Sequence, residues 1–511
     1  MEKCAHRETT QWSINAGRCM FHISFAYHPV AIANWCDVGR VPVTIDMLPD
    51  VALLEIFGCY MDLFRENKDD EITAYKWSIL VHVCQKWRSV IFGSPRRLDL
   101  QLFCSDTTPV KETLAVWPPL PIIIEQCNPQ ARMDNIIVAL EHNDRVCRID
   151  MVVPNSQWEE VFAQMQQPFP ALTDLSIQSN EWWKDGPLEN KIPSVVPESF
   201  LGGSAPGLQY LNLIRVPFPG LPKLLLSAAG LVSLRLWKIP HSGYISPKAM
   251  VRCLSTLPRL EDLLLEFKYP LYRPLRESRH PYPAPTRPAL TALTCFQFEG
   301  ASEYLDDLVA RVDAPLLDSL HITFFHQLIF DTPQLAQFVA RTPNIQPHVK
   351  ASIDFSDWYV QVTSVPTRTH PAFELGITRR QPDWQRLSLT QVCGSSFREA
   401  FIATVEHLYI HDCSAFWPSD IEDSEWPGIL HLFAAVKCFY LSWGLMSRIA
   451  PALQELAGEV LPSLQKLFLT DLRPSSPVQG TIKEFVAARQ LAGHPIAVSP
   501  WDGTELIEKN E

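Results

Sequence analysis

No run of eighteen consecutive apolar residues occurs in this 511-residue chain, so nothing in it should span a membrane. It also lacks any Asn-x-Ser/Thr acceptor for N-glycosylation. None of its 13 cysteines forms a Cys-x-x-Cys pair or a regular staple spacing. In a chain of this length they read as reduced, mostly packed thiols, which favours a reducing compartment. Charge is scarce: acidic and basic residues make up 20% of the chain, and 44 Lys and Arg face 56 Asp and Glu for a net −12. That balance excludes a general nucleic-acid binder, which needs a basic surface to displace counterions, and leaves room only for a local basic patch.

The signatures of catalysis are missing as well. The stretch Gly202 to Gly207 lacks the Gly-x-x-x-x-Gly-Lys spacing of a phosphate loop and reads as a turn. There is no Gly-x-Ser-x-Gly elbow and no His-Glu-x-x-His zinc helix. His407, His411 and Cys413 fall on one face of a strand, but they splay along it without a fourth ligand. Acid pairs such as Asp306-Asp307 and Glu422-Asp423 read as solvated faces rather than a tuned pocket. The expectation is a non-catalytic protein with no cofactor and no metal.

What is present is a chain that is 47% hydrophobic, enough for a sizeable core and incompatible with global disorder. Its 43 prolines are spread along the chain, as expected of many short elements joined by rigid turns. Residues 1–43 read as a tail of unknown structure. The apolar stretch from Phe21 to Trp35 is interrupted by His22, Ser24 and His28, and Glu2, Arg7 and Glu8 precede it, so the pattern of a secretory signal fails.

Residues 44–103 read as a short helical domain. Leu48-Pro49-Asp50 opens a helix through Phe57, with proline and an acidic residue at its start. A polar loop covers Arg65 to Glu71. Then Trp77, Leu80, Val81, Val83, Cys84 and Trp87 recur at helical spacing up to the stop at Gly93-Ser94-Pro95. Three short helices bury little surface and need a partner or a neighbouring domain. Packing of its own accounts for Leu53, Leu54 and Val81, and less well for Leu48, Pro49, Ile56 and Trp87 as a set.

The order Leu48-Pro49, Leu54-x-Ile56-Phe57, Leu80-x-x-Val83-Cys84-x-x-Trp87-Arg88, then Pro95 and Leu98-x-Leu100 resembles an F-box. The one departure is an acidic connection between Phe57 and Leu80 that is longer than usual. The resemblance implies docking on a Skp1-like adaptor and, through it, membership of a cullin–RING ubiquitin ligase. By position, Leu48, Pro49, Ile56, Phe57, Val83, Cys84 and Trp87 resemble the apolar contact set, with Arg88 near its edge.

From about residue 165 a template L-x-x-L-x-L recurs, its end reading as a strand. Copies start at Leu172, Leu208, Leu231, Leu260, Leu290, Leu317, Val405 and Leu464, and Trp384 to Leu389 and Val436 to Leu441 look like degenerate members. Leu211, Leu234, Leu263, Leu293 and Leu320 are separated by 23, 29, 30 and 27 residues, at or just beyond the leucine-rich-repeat range. Helix-like runs lie between: Lys248 to Leu257, Leu305 to Val312, and Leu335 to Ala340. The expected fold class is α/β: a three-helix F-box-like domain, then an irregular leucine-rich-repeat solenoid, a horseshoe, over residues 165–500. Residues 104–164 form a linking or capping segment with strands at Leu120 to Ile124 and Val146 to Met151. The gap from Ile322 to Val405 suggests an insertion or decayed repeats. Residues 268–290, with six prolines, look like an exposed excursion, and 501–511 a tail.

The layout resembles the F-box proteins with degenerate leucine-rich repeats of mushroom-forming (basidiomycete) fungi, a resemblance that implies a cytoplasmic or nuclear protein. Phe218-Pro219-Gly220-Leu221-Pro222-Lys223-Leu224 and Phe330-Asp331-Thr332-Pro333-Gln334-Leu335 are similar to segments of that group. In such a horseshoe the residues between the leucines line the concave face. Candidate target contacts there are Tyr210, Arg235, Trp237, Glu266, His321, Tyr409 and Phe468, with Trp237 expected to be exposed. The functional expectation is a substrate-receptor subunit that binds the adaptor through the F-box and an unspecified target protein through the repeats, with no nucleic-acid or membrane partner. The alternative is a repeat scaffold whose helices serve another assembly or cap the solenoid. A hydrolase or transferase would need a converging polar pocket.

Overall fold

The computed structural model describes residues 12–16, 19–23, 47–65, 76–126, 128, 132–180, 195–268, 287–325, 330, 332–345, 349–356, 359–364, 373–378, 382–397, 401–412, 426–455, 459–470 and 478–501. Most of the expected tail, of the acidic connection and of the proline-rich excursion therefore lies outside the described residues. Within the tail, β1 (Trp12–Ala16) and β2 (Cys19–Ile23) pair as an antiparallel hairpin.

Among the described residues the helical unit holds α1 (Asp50–Arg65), α2 (Lys76–Val81) and α3 (Gln85–Gly93). Leu53 donates its N–H to the Pro49 carbonyl at 3.1 Å, closing the first turn of α1 behind the proline. The Cys84 sulfur accepts the Trp87 N–H at 3.4 Å and so caps α3. Leu53, Leu54 and Val81 are buried, as packing alone required.

Among the described residues, one sheet of sixteen strands follows the helical unit. It begins with β3 (Leu102–Cys104), β4 (Ile122–Glu125), β5 (Val146–Val153), β6 (Asp174–Ser179), β7 (Tyr210–Ile214), β8 (Ser233–Ile239), β9 (Asp262–Phe267), β10 (Cys295–Gly300) and β11 (Ser319–Phe325), each parallel to the next. It continues with β12 (Lys350–Phe355), β13 (Tyr359–Ser364), β14 (Phe373–Thr378), β15 (His407–Asp412), β16 (Cys438–Leu441), β17 (Lys466–Thr470) and β18 (Ala497–Trp501). The sheet thus starts at Leu102, and the segment read as linking or capping is built into the same sheet as the repeats.

The repeat template has a direct structural meaning. Its first leucine turns the chain: Leu208 donates to the Ala205 carbonyl at 3.2 Å, Leu231 to Ala228 at 3.0 Å and Leu260 to Leu257 at 3.2 Å. Its second and third leucines stack between coils, Leu211 opposite Leu234 and then Leu263, and Leu213 opposite Leu236 and then Leu265. All are buried in a single apolar core that runs from Leu53 to Ile496. Helices at Pro247–Leu254, Ser302–Val309 and Pro333–Ala340 contribute Met250, Leu305 and Leu335 to that core, matching the helix-like runs in the sequence. The alternate strand residues lie on the opposite, helix-free face, which a leucine-rich horseshoe makes concave.

The interval between Ile322 and Val405 holds a meander. Spatial order there is β11-β14-β13-β12-β15, with β13 antiparallel to both neighbours while β14 and β12 keep the polarity of the sheet. Trp384 to Leu389, read as a degenerate repeat strand, belongs instead to the helix Pro382–Val392. A proline at its head and apolar residues at mixed spacing suit a helix start better than a strand. Val436 to Leu441 does contribute a strand, β16.

Leu234 is fully buried in the middle of the column of stacked leucines. Leu234→Ala should lower unfolding free energy by about 2–5 kcal/mol, read from urea denaturation.

Candidate functional site

Two surfaces carry the residues singled out in the sequence. On the helical unit, Ile56 is 45% exposed and Val83 56%, and Pro49 and Arg88 are exposed too. Leu48 is half-buried, and its carbonyl accepts Lys86 Nζ at 2.8 Å. Met47 and Val51, each 61% exposed, add apolar surface that the motif pattern did not single out.

Phe57 needs correcting: at 1% exposure it is core, its ring 4.7 Å from the half-buried Trp87. The pattern fixed Phe57 beside Ile56 on α1, but adjacent helical residues point about 100° apart, so one faces out and the other in. Cys84 is likewise half-buried and occupied in capping α3. Arg88 Nε donates to the Val81 carbonyl at 3.0 Å.

An aromatic joint ties this unit to the start of the sheet. Trp77 donates its indole N–H to the Gln101 carbonyl at 3.0 Å, and its ring centroid lies 5.2 Å from that of Trp117, beyond β3. Phe92 and His82 also meet Trp117, at 6.0 and 5.9 Å.

On the helix-free face, Tyr210 on β7 is 47% exposed. Arg235 on β8 is exposed but ion-paired, its Nε 2.6 Å from Asp262 Oδ2, which also accepts the Ser233 hydroxyl at 2.8 Å. Trp237 is half-buried rather than exposed, because β8 bulges between Leu236 and Ile239 and turns this residue against its neighbours. His321 on β11 sits between the Ser319 hydroxyl, 2.7 Å from Nε2, and Glu374 Oε2, 3.0 Å from Nδ1. Glu266 is buried, a second correction to the picture of an open contact row. It is the register partner of Glu299 on β10. Burial raises the Glu266 carboxyl above its ordinary range, with Lys238 and Arg215 opposing.

The C-terminal end of this face is closed by aromatic packing. Tyr409 is only 2% exposed: its ring stacks on Tyr440 at 4.1 Å, and Tyr440 stacks on Phe468 at 4.5 Å. Trp501, from the edge strand β18, packs on Tyr440, Tyr409 and His411 at 5.5, 5.9 and 5.4 Å. The sequence reading named Tyr409 and Phe468 but missed Tyr440 between them and placed Trp501 in a tail. Strand alternation gave a signal for Tyr440, since Cys438-Phe439-Tyr440-Leu441 follows the template's in–out pattern. The structure therefore brings Tyr409 and Phe468 into one cluster, sets Tyr210, Arg235, Trp237 and Glu266 on three adjacent strands, and leaves His321 apart from both.

Burial pushes the Cys104 and Cys393 thiols up to about 12, where no thiolate forms at neutral pH. Burial lowers the pKa of His411, partly offset by Asp354. Cys413 lies outside the described residues. Among the described residues no group of three or more His, Cys, Asp or Glu is placed to hold a metal ion, and no helix is long and apolar enough to cross a membrane.

No family model and no curated protein matches the chain. Among solved structures, it is similar to the leucine-rich repeat-containing protein LegL7 from Legionella pneumophila. The two are 13% identical at a TM-score of 0.25, over 66% of this chain and 90% of that one. At that score the likeness carries no argument, and the repeat-solenoid architecture rests on the strand register and the recurring leucine turn described above.

The closed and the open parts of the helix-free face should respond differently to truncation. Tyr440→Ala should remove the centre of the aromatic stack and cost about 3–5 kcal/mol in chemical denaturation. Arg235→Ala, at an exposed ion pair, should cost less than about 1 kcal/mol.

Proposed function

We propose that the chain is a substrate receptor of a Skp1–cullin–F-box ubiquitin ligase, docking a Skp1-like adaptor through α1–α3 and a target protein through the helix-free face. The observation that carries this reading is the exposure of Ile56 and Val83, two positions of the F-box pattern, together with Met47 and Val51. The fold does not need these side chains outside, and burying each against a partner would contribute about 1.5–3 kcal/mol. On this reading the chain performs no chemistry. It raises the effective concentration of a target beside a charged ubiquitin carrier supplied by partner subunits. The Trp77–Trp117 joint supports it by packing the docking helices against the sheet, so that adaptor and target would be held at a fixed separation. The stretch around Tyr210 and Arg235 is the open part of the face that a target would meet first.

The same joint also favours a second reading, in which the helical unit caps the end of a protein-interaction scaffold that works outside any ligase. A pulldown of the whole chain with recombinant Skp1 separates the two. Wild type should bind, and Ile56→Asp with Val83→Asp should abolish binding while leaving the circular dichroism spectrum intact, because both side chains are exposed. Absence of binding by folded wild-type protein would remove the ligase reading and leave the scaffold.

A further inference from the structure

Four successive strands of the helix-free face end in charged residues of a particular order: Arg215 just after β7, Lys238 on β8, Glu266 on β9 and Glu299 on β10. Both cations occupy the left-handed region, with φ of +60° at Arg215 and +50° at Lys238, a conformation that residues with a Cβ adopt only when their surroundings impose it. Arg215 donates its N–H to the Trp237 carbonyl at 2.8 Å, which fixes the end of one strand against the bulge of the next. Glu266 and Glu299 are register partners on adjacent parallel strands, an arrangement in which two ionised carboxylates repel. Strain on one side and like-charge contact on the other mark this ledge as the least relaxed part of the face.

We infer that the ledge is a proton-operated switch, in which the Glu299 carboxyl, set opposite the Glu266 carboxyl on the adjacent strand, takes up a proton and releases it as the pH rises. With Glu299 protonated, Glu266 is the single ionised carboxylate of the pair, with Lys238 close to both. With Glu299 ionised, the two carboxylates stand against each other. Burial pushes the Glu299 carboxyl up to about 7, the Glu266 carboxylate adds to this, and Lys238 partly offsets it. On the far side β11 presents the neutral Thr323 as the register partner of Glu299, and His321, two residues earlier on that strand, is engaged by Glu374. The inference is independent of adaptor binding.

The sign follows from linkage. Glu299 binds its proton more tightly folded than unfolded, where its pKa is 4.5. Its contribution to stability is therefore full below the unfolded value and lost as pH rises towards about 7. The test is the melting temperature of wild type and Glu299→Gln from pH 4.5 to 8.5. The variant, a permanent mimic of the protonated acid, should match wild type at the acid end. It should then gain on it through pH 7 and level off about 2 °C higher. In a Glu266→Gln background the same substitution should gain less, because the neighbouring charge is gone. A difference that does not change with pH, or an equal gain in both backgrounds, would overturn the inference.

Discussion

One backbone carbonyl per coil accepts two N–H groups from the coil that follows, and the rest of the solenoid hangs on that contact. Thr173 receives Gln209 and Tyr210, Gln209 receives Val232 and Ser233, Val232 receives Glu261 and Asp262, and Glu261 receives Thr294 and Cys295, all at 2.8–3.1 Å. The pattern runs on through Thr294, breaks, and resumes where Val349 receives Glu406 and His407. Buried backbone groups must find partners, and a strand in this sheet finds them only in its neighbours. Each coil therefore sets the register of the next, and the leucines that stack behind the ladder are buried only by adjacent coils. The meander fits into this scheme without disturbing it. Because β12 keeps the sheet's polarity, the ladder can restart on the strand that lies beside β15.

In-register parallel strands also place equivalent residues in rows, and the chemistry of each row decides whether that part of the face is closed or open. Aromatic residues in a row stack, as Tyr409, Tyr440 and Phe468 do, and water is driven out. A polar row satisfies itself in pairs, as with Ser233 and Asp262 or His321 and Glu374. Carboxylates in a row are frustrated, as with Glu266 and Glu299. A single rule of geometry thus produces a sealed end, a paired middle and one strained ledge.

At the other end of the molecule, the helices are too short to bury all of their apolar residues. Phe57 and Trp87 pack together, and Trp77 and Trp117 bind the unit to the sheet, which leaves Ile56 and Val83 outside. Surface of this kind is costly to leave in water and suits a partner. The thiols that were buried to build the core are pushed away from reactivity by the same burial.

Local spacing was enough to read the repeat from the sequence, because the leucine template encodes a turn and two core-facing strand positions within six residues. Leu208, Leu211 and Leu213 are buried where the template puts them, and the alternation that sends Tyr210 and Asn212 to the other face follows from strand geometry alone. The start of α1 was legible through Pro49 and Asp50, and the helical period from Trp77 to Gly93 marked the stretch that the structure divides into α2 and α3. Tertiary structure decided what depends on neighbours distant in sequence. Trp501 seals Tyr409 from an edge strand more than ninety residues away, a bulge turns Trp237 inward, and Trp87 draws Phe57 into the core. The order of the meander strands was hidden as well, since backbone pairing reads no side-chain code. Face and periodicity are local properties of a chain, whereas burial is a property of what the other coils bring alongside.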